Sequence, residues 1–338
     1  MKHTLPLIIK VQLLSLFVLF AGCKKNNEPR EVITEFEISG ELSHSDISFA
    51  NERVGYISGV SANELVSGII AKTLDGGMTW KILHVYVDTT PSTVIRSIYA
   101  LSPDTVYATY SCNNLNSGVC KSVDGGSTWK NLGNLGIPAV AYGNVYFKNS
   151  QIGFVCRGNT ILKTVDGGKN WVTKFHQSGF GGISQLSFTS AEIGYACEGF
   201  VNDYGSSGML LKTTDGGNTW NVLPSFTEYI TCLKFVNDKT GYAFTFENNI
   251  YKTMDGGQNW TLLKILDGGL YFSAIVAGNI KYFATVNKIY KSTNDFKSFV
   301  EIYSSQINNT NFSVKAIQLS NSTIFILSNN SVVKIIQD

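Results

Sequence analysis

Five aspartates occupy positions from which chemistry could start. Asp75, Asp124, Asp166, Asp215 and Asp255 each open an Asp-Gly-Gly triplet that leads to Trp80, Trp129, Trp171, Trp220 and Trp260. A carboxylate ahead of flexible glycines superficially resembles a calcium loop, but none of the five carries the further acidic ligands that calcium takes. The local use is simpler. An Asp carboxylate accepts hydrogen bonds from backbone N–H groups of its own turn, and a preceding Ser or Thr hydroxyl adds another. Glycines permit the positive φ at which the chain reverses, and the tryptophan covers the turn. An active site is needed once, whereas this phrase comes five times, so its role is structural. Other groups with chemical capacity are sparse. The histidines His44, His84 and His176 have no metal-ligand spacing, and there is no Ser-His-Asp set or phosphate loop. No metal or cofactor is expected. Acids on irregular loops, such as Asp203 and Glu228, are the remaining candidates for acid–base work.

The elements that hold these residues repeat. Lys72, Lys121, Lys163, Lys212, Lys252, Lys291 and Lys334 recur at intervals of 39 to 49 residues, the period of a propeller blade. Upstream of the lysines runs a second phrase, seen in "ISFANERVGYISG" and "LSFTSAEIGYACEG": an aromatic, a polar turn, then Gly with Tyr or Phe. Each unit reads strand A, short turn, strand B, variable loop, strand C with the lysine, the Asp-Gly-Gly turn, and strand D. The chain is all-β. The expectation is a seven-bladed β-propeller of four-stranded antiparallel sheets, or six blades if the degenerate end packs otherwise. The last unit supplies three strands, and residues 31–39 can add the fourth, closing the ring and removing a free edge.

The pattern Ser/Thr-x-Asp-x-Gly-x-Thr/Asn-Trp resembles the Asp-box, or BNR repeat, of sialidase-like propellers. A sixth copy, "YKSTNDFKSF", keeps Lys291 and Ser292 but has Asn294, Asp295 and Phe296 in place of Asp-Gly-Gly. Strand direction then sorts the loops. A–B and C–D turns, including every box, share one face; B–C and D–A loops share the other. The second face carries the irregular length and the candidate binding residues Tyr86, Arg96, His176, Phe180, Tyr204, Tyr229 and Tyr271, since variable loops on a rigid scaffold are where binding is usually placed.

The N-terminus is a separate matter. "MKHTLPLIIKVQLLSLFVLFAGC" has a basic start, a short apolar stretch and small residues before Cys23, as a secretory signal does. It resembles a bacterial lipobox, which makes 1–22 a lipoprotein signal peptide, Cys23 the acylated residue, 23–30 a lipidated tether and 31–338 one propeller domain. Two or more acyl chains would hold the protein stably to a membrane of the cell envelope. Loss of 1–22 removes Lys2 and Lys10, leaving 25 Lys and Arg against 25 Asp and Glu, so no basic field exists for nucleic acid. Cys112 and Cys120 flank a short loop where a disulfide could staple a hairpin. Cys156, Cys197 and Cys232 sit in apolar runs and read as buried hydrophobes.

The whole phrase, "GYA–G–x–I–x–KT–x–DGG–x–x–W", resembles the photosystem II stability and assembly factor family from about residue 40 to 300. The resemblance implies a seven-bladed, exported or lumenal propeller that holds a partner protein during assembly. That family is associated with an arginine-rich patch, for which this propeller has only Arg53, Arg96 and Arg157. The function expected is therefore a non-catalytic scaffold binding a protein or glycan. The alternative is a glycan hydrolase of sialidase-like type. Sialidases need three converging arginines and usually an Arg-Ile-Pro, which is absent here. A xyloglucan-type hydrolase normally needs a second propeller.

Overall fold

The two recurrent phrases are partners across one hairpin. In the computed structural model Tyr56 pairs with Lys72, Tyr107 with Lys121, Phe154 with Lys163, Tyr195 with Lys212, Tyr242 with Lys252, Tyr282 with Lys291 and Phe325 with Lys334. Six of these ammonium groups lie 5.2–5.6 Å from the paired ring centroid, a cation–π geometry. The glycine before the aromatic has its own reason. Gly55 faces Phe49 on strand A, and a Cβ there would lie 2.5 Å from the ring.

The structure describes residues 31–37, 42–61, 68–88, 90–92, 94–112, 116–135, 143–178, 182–199, 208–224, 226–266, 271–277, 279–285, 288–304, 315–318, 323–327 and 331–337. The signal and tether expected over 1–30 lie outside them, as do Phe180, Asp203 and Tyr204. Seven four-stranded antiparallel sheets form the blades. Blade 1 is Leu42–Phe49, Gly55–Ser61, Gly68–Thr73 and Lys81–His84, called strands A to D. Blades 2 to 6 follow over 94–134, 143–176, 182–222, 230–265 and 271–304. Blade 7 takes Lys315–Gln318, Thr323–Leu327 and Ser331–Gln337, and its strand D is Glu31–Glu37 from the other end of the chain. That strand pairs antiparallel with Ser331–Gln337, Glu31 opposite Gln337. The ring has seven blades, and the six-bladed alternative is not formed. Tyr86–Val87 and Thr90–Pro91 make a small extra hairpin.

Blade packing explains the burial pattern. Strands A of successive blades lie side by side around the axis. Strand B is sandwiched between neighbours, so all five residues of Gly241–Thr245 and of Thr323–Leu327 are buried. Strand D faces outward and is mostly exposed, as in Val172–His176. The ring on strand B of one blade meets the ring on strand A of the next: Phe325 with Phe49 at 4.1 Å, Tyr107 with Phe147 at 3.5 Å, and Tyr195 with Phe235 at 3.4 Å. The box tryptophans Trp80, Trp171, Trp220 and Trp260 then sit edge-on to the strand A ring at 5.9–6.1 Å. Each such pair contributes roughly 0.5–1.5 kcal/mol beyond its area burial.

Polar groups also tie the inner strands. Buried Asp46 accepts from Ser97 Oγ (2.7 Å) and Ile98 N (3.1 Å) of blade 2 and pairs with Lys315 of blade 7. Ser97 Oγ in turn accepts from Val145 N of blade 3 at 3.2 Å. Nothing in the sequence singled out Asp46.

One expectation is corrected here. Cys112 lies opposite Asn116 and Cys120 opposite Ala108, four ladder positions apart. At about 3.4 Å per residue that is roughly 13 Å between Cα atoms, whereas a disulfide needs less than about 7 Å. Cys120 is a buried thiol whose Sγ donates to Ala108 O at 3.6 Å, and no disulfide joins the two. Cys156, Cys197 and Cys232 are buried thiols too.

Candidate functional site

The five boxes share one geometry. In the first, Thr73 Oγ1 donates to Asp75 Oδ1 (2.7 Å) and accepts from Gly77 N (2.8 Å). Asp75 accepts from Thr79 N (2.9 Å) and Thr79 Oγ1 (2.6 Å). The same set recurs around Asp124, Asp166, Asp215 and Asp255. Gly76 and Gly77 sit at φ 73° and 90°, which glycine alone adopts without strain. Trp80 Nε1 closes the turn by donating to Gly77 O at 3.0 Å, as do Trp129 and Trp260 in theirs. Burial would raise the Asp124 pKa, but hydrogen bonds from Thr128 and Ser122 outweigh it and hold the carboxyl at about 2. Bonds from Asn170 and Asn259 do the same at Asp166 and Asp255. These carboxylates stay ionised within their own turns near neutral pH and are not poised to move a proton.

The lysines, landmarks in the sequence, are connectors in the structure. Lys72 Nζ reaches Gly125 O (2.8 Å) in the box of the next blade. Lys163 reaches Gly216 O (2.9 Å) and Asn218 Oδ1 (2.9 Å), Lys212 reaches Gly256 O (3.3 Å), and Lys334 reaches Gly76 O (3.3 Å) across the ring closure. The recurrence of lysine was visible in the sequence. Its partner was not, because it lies about 50 residues onward or at the other end of the chain.

On the B–C and D–A face the expected binding residues are spread around the ring. Tyr86 is exposed on the small hairpin after blade 1. Arg96 is half-buried at a bulge in strand A of blade 2. His176 is exposed at the end of strand D of blade 3, its Nδ1 3.0 Å from Thr160 Oγ1. Tyr229 is half-buried before strand A of blade 5, and its carbonyl accepts from Phe246 N at 2.9 Å. Tyr271 opens strand A of blade 6. Arg96 and Tyr271 are therefore near the axis, whereas Tyr86 and His176 are at the outer rim. Arg53 lies in an A–B turn on the box face, away from Arg96 and from Arg157, which ends strand B of blade 3.

Glu228 has a built environment on that face. Its carboxylate accepts from Thr245 Oγ1 (2.5 Å), Tyr251 OH (2.7 Å) and Asn249 Nδ2 (3.0 Å). Burial alone would raise its pKa, but these bonds hold it below the ordinary value. Glu247, on the adjacent B–C turn, is raised by burial and by the neighbouring Glu228 charge. Glu228 is among the acids that the sequence marks as candidates, whereas Glu247 carries no sequence signal.

The box face holds a groove of about 520 Å³ between blades 3 and 4, lined by Tyr146, Lys148, Lys163, Phe188, Glu192 and Asp215 among others. Lys148 Nζ lies 3.6 Å from the Phe188 ring centroid and donates to Ala191 O at 2.6 Å. Burial, with the charge of Lys163, lowers its pKa. Both ammonium groups already donate to backbone carbonyls, which makes the groove a seam between blades. Among the described residues no group of three or more His, Cys, Asp or Glu is placed to hold a metal ion.

Seven blades, intact boxes and lysine connectors match a known repeat. The family model described as "Photosynthesis system II assembly factor YCF48" matches residues 127–264, the stretch in which boxes three to five follow one another. The chain is similar to the photosystem II assembly-factor propellers. The photosystem II stability/assembly factor HCF136 of Arabidopsis thaliana is 30% identical over 104 residues, 30% of this chain and 25% of that protein. The match thus spans about a quarter of that relative. A solved structure of YCF48 bound to D1 peptide superposes with a TM-score of 0.72 at 17% identity, covering 90% of this chain and 97% of the other. YCF48 from Cyanidioschyzon merolae gives 0.68 at 15% identity, covering 89% and 98%. At these identities the solved structures establish the fold.

Proposed function

We propose that this protein is a non-catalytic propeller that holds a partner protein in a bacterial cell envelope, tethered to a membrane through acylated Cys23. The observation that carries this is the division between its faces. On one, the five box Asp side chains, the connecting lysines and the indoles of Trp80, Trp129 and Trp260 are engaged in bonds within and between blades. On the other lie the irregular connections, with Tyr86 exposed and Tyr229 half-buried among them. A rigid ring presenting irregular loops is suited to binding, and a relative of the same fold has been solved with a bound peptide. A glycan is the other partner class that such a loop face suits.

A second reading has one observation in its favour. Glu228 and Glu247 adjoin with pKa values displaced in opposite directions, the arrangement that lets one carboxyl act as acid and its neighbour as base. One experiment separates the two. The mature protein is recovered from its native envelope with whatever co-purifies, beside a screen for glycoside cleavage. Binding predicts a reproducible partner that is lost in Tyr86→Ala with Tyr229→Ala while the melting temperature holds. Saturable cleavage abolished by Glu228→Gln would overturn it.

A further inference from the structure

The Asp-box face carries apolar side chains that its turns do not require. Leu74, Val123, Val165 and Met254 occupy the position between the Ser/Thr and the Asp in four boxes, and they are 60%, 65%, 66% and 71% exposed. Met78, in the first box, is 51% exposed. Thr214 fills the same position in the fourth box and is exposed with its turn intact, so the fold accepts a polar residue there. Singly, exposed apolar groups are ordinary; here they recur at one position of one face, which gives that face a set of separated apolar points that the turns themselves do not need.

The entry of the chain indicates what meets this surface. Strand C of each blade runs toward the box face, so Gln337, at the end of Ser331–Gln337, lies there. Glu31 is paired with Gln337, and its carboxylate accepts from Lys291 Nζ at 2.9 Å, immediately before the sixth box. The tether from Cys23 therefore joins the propeller at the box face. Eight residues, 23–30, span at most roughly 26–29 Å. An inverted propeller would use most of that reach running past an outer strand about 20 Å long.

We propose that the Asp-box face is apposed to a lipid bilayer, with Leu74, Met78, Val123, Val165 and Met254 entering the headgroup region, so that the B–C and D–A loops are presented away from the membrane. This rests on the acylation of Cys23 stated above. Five separated aliphatic groups would bind lipid weakly from solution. A short tether makes the contact intramolecular, at an effective concentration that renders a weak contact populated. Lys24 and Lys25 beside the acylated residue favour the same headgroup layer.

The test uses the full-length acylated protein in phosphatidylcholine vesicles containing a lipid with a nitroxide on its headgroup. In a Cys112→Ser background, one fluorophore is placed by Thr214→Cys on the box face and another, in a second sample, by Thr227→Cys on the opposite face; both sites are exposed, whereas Cys120, Cys156, Cys197 and Cys232 are buried. Several-fold stronger quenching at 214 than at 227 is expected. Adding Leu74→Ser, Val123→Ser and Val165→Ser should reduce that difference at least by half. Equal quenching, stronger quenching at 227, or indifference to the three serines overturns the proposal. Intact mass is read on the same sample. Acyl mass with unquenched 214 refutes the orientation alone, whereas no acyl mass at Cys23 refutes the anchor and the orientation together.

Discussion

The fourth box and its counterpart in blade 6 follow the same path with different residues. Gly216 and Gly217 take φ 71° and 80°; Asp295 and Phe296 take 62° and 64°. Phe296 N donates to Ser292 Oγ at 2.9 Å as Gly217 N donates to Thr213 Oγ1 at 2.9 Å. Asn294 Oδ1 accepts from Ser298 N at 2.9 Å as Asp215 Oδ1 does from Thr219 N at 2.9 Å. The turn is thus imposed by the blade, and residue type sets what it costs. A left-handed residue with a Cβ costs on the order of 1–2 kcal/mol, and blade 6 holds two of them. Side-chain contacts offset this. Asp295 receives Lys252 Nζ (2.6 Å), Lys281 Nζ (3.4 Å) and Tyr242 OH (2.6 Å). Phe296 is fully buried against Tyr242, Phe244 and Phe283. Where glycine boxes offer a carbonyl to the preceding lysine, this one offers a carboxylate.

The largest loss of stability is expected next to the sixth box. Lys291 and Glu31 form an ion pair with side chains only 8% and 10% exposed. Lys291→Met leaves that carboxylate buried without its cation and should cost about 3–5 kcal/mol, read as a lower urea midpoint. An unchanged midpoint would show that the seam does not depend on charge. Next comes Asp295→Gly, which restores the glycine of the other boxes. It relieves about 1 kcal/mol of backbone strain and forfeits charge-assisted bonds of roughly 1.5–3 kcal/mol. A net loss of about 1 kcal/mol is expected, with Lys252→Met adding little in that background. A gain in stability would mean that Asp295 is tolerated, not used.

The smallest effect should come from Asp124→Asn, which copies Asn294 into an intact box. The acceptor survives, so the melting temperature near neutral pH should fall by no more than about 2–4 °C. Acid acts on the same carboxylate. The folded pKa of Asp124 is depressed from 3.8 to about 2. Its contribution is therefore fully present above the unfolded value and is lost as pH falls toward the folded one. Wild type and variant should converge in melting temperature as pH drops from about 5 to about 2, and a gap that widens would contradict the assignment.

Much of this architecture was legible because repetition averages out local ambiguity. Seven lysines at blade spacing counted the blades. The alternation of 31–39 gave the closing strand, which forms over Glu31–Glu37. What escaped was whatever depends on register or on distant neighbours. The Cys112–Cys120 pairing failed because spacing in sequence says nothing of position on a ladder. The lysine connectors and the Asp46–Lys315 pair join residues whose proximity is created by ring geometry, and Glu228 meets Glu247 through the strand A–B register of blade 5. The sixth box looked degenerate because its glycines were missing, although its hydrogen bonds were retained by Ser292, Asn294 and Ser298. The binding residues are the least legible class, since a wet rim and a recognition surface use the same tyrosines.

The strand Glu31–Glu37 is hydrogen-bonded along its whole length to Ser331–Gln337, and any force applied through residue 30 enters it at the Glu31 end. Antiparallel ladder bonds lie perpendicular to the strands. A pull on residue 30 directed along the strand, from drag or from a partner being hauled away, therefore shears this ladder and loads all its rungs together. A pull from the Glu37 side, away from the sheet, would open the rungs singly. The end from which the propeller would be tethered is thus the end at which its closing seam resists mechanical force best.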